Sequence, residues 1–294
     1  MKKHALFPFA VTLGSVIAFV LRFLQNQTGF EEVTGLPIAG NVPGLVLAGW
    51  LIMMAGFFFV LARKHFSDEP SGTFPAAFTT ANSTLLFLPV AGLALFAVSG
   101  LVDLYEGLTQ NRVLFQLQAA ADPYSAFGAD AFSGGFASVS QILLGAVSLL
   151  VALSLFPAVS ACRKDGKFSG RVAFDGVFLL IAPVALVVRL VLTYRLDSIN
   201  PSLEAYYMEL LALVFLTLAF YRLSSFAFSA ASLSRFAIYT GLAAVCSLAA
   251  LADGGPYLSS LLLYLGGPLT LMGFLLLRLV HADDESAPIS ESSE

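Results

Sequence analysis

Hydrophobic residues come in long runs along the whole of this chain, and short polar segments separate the runs. A helix of about 20 apolar residues is long enough to cross the hydrocarbon core of a bilayer. Runs of that length predict spans at 5–24, 43–62, 79–102, 139–160, 173–194, 203–223, 232–252 and 256–280. The pattern therefore predicts an all-α integral membrane protein, a bundle of about eight transmembrane helices within residues 1–280.

Composition favours a membrane over an aqueous environment. Hydrophobic residues make up 58% of the chain and charged residues 12%, against about 25% charged residues in an average soluble domain. So few polar side chains cannot cover the surface of a soluble protein of 294 residues. The chain has no basic patch of the kind that nucleic acid requires, so the expected partner is the lipid bilayer and not nucleic acid.

Two segments affect the helix count. Lys2 and Lys3 precede an apolar stretch, as in a signal peptide, but no Ala-x-Ala cleavage site follows. We therefore predict an uncleaved first transmembrane helix. The polar break between the sixth and seventh spans is short, and the stretch 229–235, Ser-Ala-Ala-Ser-Leu-Ser-Arg, is the predicted turn.

Positively charged residues predict the orientation, because Lys and Arg are enriched on the cytoplasmic side of membrane proteins. With eight spans, eleven of the 15 fall on one side of the membrane and four on the other. The richer side carries both chain ends, so the N-terminus and the C-terminus are predicted to be cytoplasmic. The four on the opposite, outer side are Arg22, Arg112, Arg189 and Arg195.

Two longer segments lie outside the predicted spans. Residues 103–138 form the predicted outer loop, which contains Gly134, Gly135 and several aromatic residues. Such a loop can act as a lid or interfacial segment, or as a linker against the lipid headgroups. Residues 281–294 carry five carboxylates and four serines, and this acidic cytoplasmic tail is predicted to be disordered.

The third, fifth and seventh predicted spans have similar C-terminal ends. Pro89 and Pro183 are each followed fourteen positions later by an aspartate, Asp103 and Asp197, and the seventh span ends at Asp253. Internal repeats are common in transporters, which bind solutes where the repeats meet. Chance similarity between apolar segments is the alternative explanation.

Most enzyme chemistry needs residues that the predicted spans lack. The three histidines, His4, His65 and His281, fall at cytoplasmic helix ends, and no hydrolase, metalloprotease or nucleotide-binding motif occurs. Cys162 and Cys246 do not make a disulfide framework and are interpreted as unpaired thiols. We therefore expect no enzymatic activity, no metal and no cofactor.

Ionisable residues inside the spans are the candidates for a site, because they usually face a bundle interior or a wet cavity. Arg189 in the fifth span and Glu209 in the sixth lie six or seven positions from the turn between them, or about 10 Å down each helix. We predict that they form an ion pair near the outer side. Asp175, fourteen positions before Arg189, places a polar group at the cytoplasmic end of the same helix face.

The predicted pair is either structural or part of an outward-facing ligand pocket with Arg22, Arg195 and Tyr206. Two arginines at the floor of a pocket suit a carboxylate or phosphate ligand. Gly266-Gly267-Pro268 interrupts the eighth span. A break of this kind marks a binding site in transporters and is a plain kink in other helices.

Together these features favour a carrier or permease-like protein for a small anionic solute, in a bacterial cell membrane. The alternative is a non-transporting membrane sensor, assembly or accessory subunit that acts through protein partners. The short cytoplasmic loops and the acidic tail are the arguments for that alternative.

Overall fold

The computed structural model describes residues 6–31, 37–38, 40–66, 74–80, 82–121, 129–163, 176–197, 203–228, 230–253 and 258–286. The long helices in this part of the chain are α1 (Leu6–Thr28), α2 (Val42–His65), α3 (Ser83–Ala121), α4 (Ala129–Ala161), α5 (Val177–Asp197), α6 (Leu203–Ser224), α7 (Leu233–Leu251) and α8 (Leu258–Ser286). Each of the eight contains a segment long and apolar enough to cross a membrane. The prediction of an all-helical chain with eight such segments is confirmed for the described residues.

α3 and α4 are much longer than the spans predicted within them, and their length overturns the prediction of a long loop. α3 runs to Ala121 and α4 begins at Ala129, so most of the segment 103–138 is helical. The portion 104–121 is rich in Leu, Gln and Ala, which are strong helix formers and continue the helix beyond its apolar segment. The Gly-Gly pair at 134–135 lies inside α4 and does not end it.

The break between α6 and α7 falls in the region that the polar stretch predicted. α6 ends at Ser224, a short 3-10 helix covers Ser225–Phe228, and α7 begins at Leu233. Ser232 caps α7, since its side chain accepts a hydrogen bond from the backbone N–H of Arg235 at 3.4 Å. At the other end of the chain, α8 continues to Ser286, into the segment predicted as a tail, and 287–294 lies outside the described residues.

Six of the helices form a closed ring. Each of α3 to α8 packs against the next in chain order, and α8 packs back against α3. Phe96 of α3 and Phe220 of α6 meet inside this ring, with their ring centroids 6.1 Å apart, and both are buried. α1 and α2 lie outside the ring, where they pack against each other and against α7.

Glycines bring α3 close to α4 and α8. A Cβ atom on Gly100 of α3 would lie 2.9 Å from the carbonyl oxygen of Gly145 in α4, and one on Gly266 of α8 would lie 2.8 Å from that of Gly92 in α3. Real Cβ atoms do not fit at such distances, so the helix backbones are in direct contact there, as small residues permit. These contacts hold one side of the ring tightly together.

The predicted interruption of the eighth span is not a break. α8 is continuous from Leu258 to Ser286 and contains Pro268. Gly266 packs on α3, and a Cβ atom on Gly267 would lie 2.6 Å from the side chain of Leu216 in α6. The two glycines therefore serve close helix packing and do not expose unwound backbone to a ligand.

Candidate functional site

Arg189 of α5 and Asp103 of α3 form a buried ion pair, with Arg189 Nη1 at 2.9 Å from Asp103 Oδ2. The Arg189 side chain is 4% exposed and the Asp103 side chain 1%. Removing two charges from water in this way is costly unless further hydrogen bonds satisfy both groups. α4, which packs against both α3 and α5, supplies those bonds.

Three residues on one face of α4 complete the site. The Leu144 carbonyl oxygen accepts a hydrogen bond from Arg189 Nη1 at 3.1 Å, and the Ser148 hydroxyl accepts another from the same nitrogen. Gln141 Nε2 donates to Asp103 Oδ1 at 3.0 Å. The five residues Asp103, Gln141, Leu144, Ser148 and Arg189 are named the Arg189 cluster.

The glycine contact between α3 and α4 positions this cluster. Gly100 lies one turn before Asp103, and Gly145 lies one turn after Gln141. Because the two backbones touch at the glycines, the Gln141 amide reaches the Asp103 carboxylate directly. A larger residue at either glycine would separate the helices at the point where the cluster joins them.

One edge of the Arg189 guanidinium has no hydrogen-bond partner among the described residues. The hydrogen bonds to Asp103, Leu144 and Ser148 are all donated by Nη1, which carries only two hydrogens. Nε and Nη2 form the other edge, and such an edge fits a carboxylate or phosphate through two parallel hydrogen bonds. The cluster thus presents a fixed, buried guanidinium whose Nε and Nη2 groups can donate hydrogen bonds to a ligand.

Glu106 adds a second carboxylate next to the cluster. It lies one turn beyond Asp103 on α3 and is half-buried. Gln141 Nε2 is 3.4 Å from Glu106 Oε2, so one amide group faces both carboxylates. Among the described residues, this region therefore contains one cation, Arg189, and two acidic side chains, Asp103 and Glu106.

The ion-pair partner of Arg189 in the structure is Asp103, where the sequence predicted Glu209. α5 packs against both α4 and α6, and Arg189 points to the α4 side, where Asp103 is reached. Glu209 lies on α6 and is half-buried. Positions along two helices predict depth in the bundle, but they do not predict which neighbour a side chain faces.

Arg22 of α1 forms a second buried ion pair, with Asp253 at the end of α7. Arg22 Nε is 2.5 Å from Asp253 Oδ1, and the two side chains are 1% and 8% exposed. Asn26 Nδ2 donates to the same Asp253 oxygen at 2.9 Å and to the Ala252 carbonyl oxygen at 3.0 Å. The pair ties the end of α1 to the end of α7.

Gln25 and Tyr207 enclose the Arg22 side of this pair. Gln25 Oε1 accepts hydrogen bonds from Arg22 Nη1 at 3.0 Å and from the Tyr207 hydroxyl at 3.3 Å. The guanidinium carbon of Arg22 lies 4.9 Å from the centre of the Tyr207 ring, a cation–π contact that brings in α6. The residues Arg22, Gln25, Asn26, Tyr207 and Asp253 are named the Arg22 cluster.

Burial governs the ionisation of Asp253, which lies just outside α7. Removal from water raises the pKa of this carboxyl above its ordinary value, and this effect outweighs the opposing attraction of Arg22 and the hydrogen bond from Asn26. The second oxygen, Oδ2, is buried and has no hydrogen-bond partner among the described residues.

Other residues predicted for the site are divided between the two clusters or lie outside both. Arg22 and Arg189 belong to different clusters. Arg195 is exposed near the end of α5, and Tyr206 is half-buried beside Tyr207 in α6. Asp175 lies outside the described residues.

Sequence reasoning did not identify the aspartates as partners of the arginines. The sequence indicates Asp103 and Asp253 only as similar ends of odd-numbered spans, and both hold a buried arginine in the structure. The available signal was charge balance, because a buried arginine requires an acidic partner and few acidic residues lie near the apolar segments. Asp103 sits 20 residues into α3 and is not at a helix end.

The two cysteines and the possible metal ligands were the other candidates for a site in the described part of the chain. Cys162 and Cys246 are free and buried, which confirms their interpretation as unpaired thiols. Burial raises the pKa of the Cys162 thiol well above its ordinary range, so it is a poor nucleophile. No group of three or more His, Cys, Asp or Glu residues that could hold a metal ion occurs among the described residues.

Comparison with known proteins finds no match to this chain among protein-family models, curated proteins or solved structures. The fold itself, with eight helices of membrane-spanning length and apolar composition in the described residues, fits a multi-pass membrane protein.

Proposed function

We propose that this chain is a multi-pass protein of the cell membrane that carries a small anionic solute, with the carboxylate or phosphate group of the solute bound at Arg189. The observation behind the proposal is the edge of the buried guanidinium formed by Nε and Nη2, which has no partner among the described residues. Charged residues inside membrane-spanning segments are costly and usually serve a pathway or a ligand.

In this proposal both termini are cytoplasmic and both clusters lie toward the outer side. Eleven of the 15 Lys and Arg residues then lie on the cytoplasmic side, as the enrichment of positive charge there requires. Asp103 and Asp253 lie toward the same end of the bundle as Arg22 and Arg189, because each pair is in direct contact.

Asp103 has two roles in the proposed cycle. In the absence of solute it holds the Arg189 side chain in place through the 2.9 Å ion pair. When a solute anion binds the other edge of the guanidinium, the two negative groups share one cation and repel each other. That repulsion limits the affinity of the site for the solute. A limited affinity allows the solute to be released, which a carrier requires.

Transport by the purified protein in lipid vesicles tests this proposal. The assay measures uptake of labelled small carboxylates and of inorganic phosphate by wild type, Arg189→Gln, Arg189→Lys and Arg195→Gln. We expect uptake by wild type and by Arg195→Gln, which changes an exposed arginine of the same helix. Arg189→Gln should abolish uptake, and Arg189→Lys should weaken it because lysine lacks the bidentate edge.

Unchanged uptake in Arg189→Gln would contradict the assignment of Arg189 as the solute site. Absence of uptake in every protein, with wild type correctly folded, would contradict the carrier function. The circular dichroism spectrum and the elution profile in detergent show whether each variant is folded.

A second candidate function is a non-transporting membrane subunit that acts through protein partners. The Arg22 cluster favours it, because Arg22 is fully buried and its pair with Asp253 fastens two helices together. If the Arg189 pair has the same purely structural purpose, small anions will neither be transported nor stabilise the protein.

A further inference from the structure

Two carboxylates of α3 face the same side-chain amide of α4. Gln141 Nε2 lies 3.0 Å from Asp103 Oδ1 and 3.4 Å from Glu106 Oε2. The amide nitrogen carries two hydrogens, so it donates to both groups. The α3 and α4 backbones are close here, because a Cβ atom on Gly107 would lie 3.0 Å from the backbone nitrogen of Ile142. Helix packing therefore holds the two acidic groups next to each other.

The two carboxylates differ in their partners and in their exposure. Both oxygens of Asp103 accept hydrogen bonds, Oδ1 from Gln141 and Oδ2 from the Arg189 guanidinium, and its side chain is 1% exposed. Glu106 is half-buried, and Gln141 is the only side chain that donates to it among the described residues. A proton on Asp103 would weaken a buried ion pair, whereas a proton on Glu106 Oε1 breaks none of the described contacts.

Glu106 lies close to the end of the apolar part of α3. That part spans Thr84–Thr109, so Glu106 is in its final turn. The helix itself continues to Ala121, beyond the apolar segment. A proton from the aqueous phase at this end of the bundle therefore reaches Glu106 without a path through the buried core.

Other charged or titratable groups lie farther from Glu106 on the helices that pack against α3, which are α4 and α8. In the sequence of α4 the only charged residue is Asp130, in the first turn, about three turns before the amide that faces Glu106. In α8 the first titratable residue is Tyr264, two residues before Gly266, which contacts Gly92 of α3. Gly92 is fourteen residues deeper than Glu106. The described charges nearest to Glu106 are therefore those of the Arg189 cluster.

Anion binding changes the charge balance of this group of residues. Arg189 supplies one positive charge, and Asp103 and Glu106 supply two negative charges. The Nε and Nη2 edge of the buried Arg189 side chain has no partner among the described residues, and an anion bound there adds further negative charge. A proton on Glu106 removes one negative charge and lowers the repulsion. Anion and proton therefore strengthen each other's binding by the same factor.

We propose that Glu106 is the proton-coupling residue of the carrier, which takes up one proton when the solute anion binds at Arg189 and releases that proton together with the anion. A hydronium ion gives its proton to Glu106 Oε1, an O–H bond forms, and a water molecule is left. Arg189 and Asp103 keep their charges. The inference rests on the proposed carrier function and names the ion that is coupled to the solute.

Transport of labelled oxalate by the purified protein in lipid vesicles tests the coupling. Oxalate is a small dicarboxylate that stays ionised from mildly acidic to alkaline pH, and a pH-sensitive dye inside the vesicles reports proton entry. Potassium and valinomycin clamp the membrane potential. In wild type, an inward proton gradient should drive accumulation of oxalate above its external concentration, and oxalate entry should acidify the interior. Exchange of internal for external oxalate at equal pH measures binding and transport without net proton movement.

Neutral and conservative variants separate the coupling from anion transport. Glu106→Gln keeps an oxygen that accepts from Gln141 and imitates the protonated acid, so we expect exchange close to that of wild type, without accumulation or acidification. Glu106→Asp keeps a carboxyl group and should restore part of the proton movement. Glu31→Gln removes an exposed carboxylate beyond the end of α1 and should behave as wild type does.

The possible failures of the coupling and of the carrier are distinct. Proton-driven accumulation that survives in Glu106→Gln, or oxalate entry in wild type without acidification, would overturn the coupling and leave the carrier function standing. Loss of exchange in a folded Glu106→Gln would assign Glu106 to anion binding and would also overturn the coupling. If Glu106→Gln does not fold, an unchanged ratio of proton entry to exchange in Glu106→Asp would overturn it. Absence of oxalate exchange from folded wild type would contradict the carrier function on which the coupling rests.

Discussion

The Nη1 atom of Arg189 lies 2.9 Å from Oδ2 of Asp103, although the two residues are 86 positions apart and α4 packs between their helices. Arg22 and Asp253 form the same kind of pair between α1 and the end of α7. Four odd-numbered elements thus provide two buried arginines, one buried aspartate and one half-buried aspartate. These charges stand out in a chain whose charged residues amount to 12%.

Energetic coupling between Arg189 and Asp103 is the first prediction. Arg189→Gln leaves a buried carboxylate without its cation, and the loss of one partner from a buried pair costs about 3–5 kcal/mol. Asp103→Asn is also destabilising, but the double variant should be more stable than the sum of the two losses implies, by about 0.5–3 kcal/mol. Unfolding of the four proteins in one detergent measures the coupling, and Arg195→Gln serves as the exposed control. Additive losses would show that the two side chains do not interact.

Contact between α3 and α4 at glycine is the second prediction. Gly100→Ala places a Cβ atom 2.9 Å from the Gly145 carbonyl oxygen, so the helices must separate, at a cost of about 1–3 kcal/mol. Gly56 of α2 is the matched control, because a Cβ atom there meets nothing within 4 Å. Gly56→Ala should be neutral or stabilising by up to about 1 kcal/mol, since alanine favours a helix. Equal thermal stability of the two variants would contradict the close approach.

Thiol reactivity is the third prediction. Cys162 is buried, its thiol donates to the Ala158 carbonyl oxygen at 3.3 Å, and burial raises its pKa. It should therefore stay unmodified by a hydrophilic maleimide in the folded protein and react only after denaturation. A cysteine introduced at the exposed position Lys64 provides the positive control. Rapid labelling of Cys162 in the folded protein would show that this end of α4 is open to water.

A pH dependence of stability is the fourth prediction. Burial raises the pKa of Asp253 in the folded protein, so the folded state holds this proton more tightly than the unfolded state does. Its contribution to stability is fully present below the ordinary aspartate pKa and is lost as the pH rises through the raised pKa. The Tm of wild type minus the Tm of Asp253→Asn should therefore fall as the pH rises. A difference that grows with pH would indicate that attraction to Arg22 outweighs burial.

The number of spanning helices could be predicted from the sequence because length and apolar composition are local properties. The end of α3 could not be placed from them, since the segment after Asp103 is polar enough to leave a membrane and still contains strong helix formers. The same limit applies to Gly266 and Gly267. Their role depends on Gly92 and Leu216, which lie far away in the sequence.

Arg189 shows what could be predicted of the site. Its position in an apolar segment marked it as buried and in need of a partner, and both features are present in the structure. The identity of that partner depends on the order of helices around the ring and on the rotation of α5. Neither can be derived from the depth of a residue along its own helix. For that reason the sequence predicted Glu209 as the partner and not Asp103.

Anion-dependent stabilisation of Asp103→Asn tests the central claim most directly. Thermal unfolding is measured for wild type, Asp103→Asn and Arg189→Gln against increasing concentrations of small carboxylates and inorganic phosphate, because a bound ligand raises Tm by an amount that increases with the logarithm of 1 + [L]/Kd. If Arg189 binds the solute and Asp103 repels it, the same anion will stabilise Asp103→Asn at lower concentration than wild type, and Arg189→Gln will not respond. Equal responses in all three proteins, or none in any of them, would contradict an anion site at Arg189.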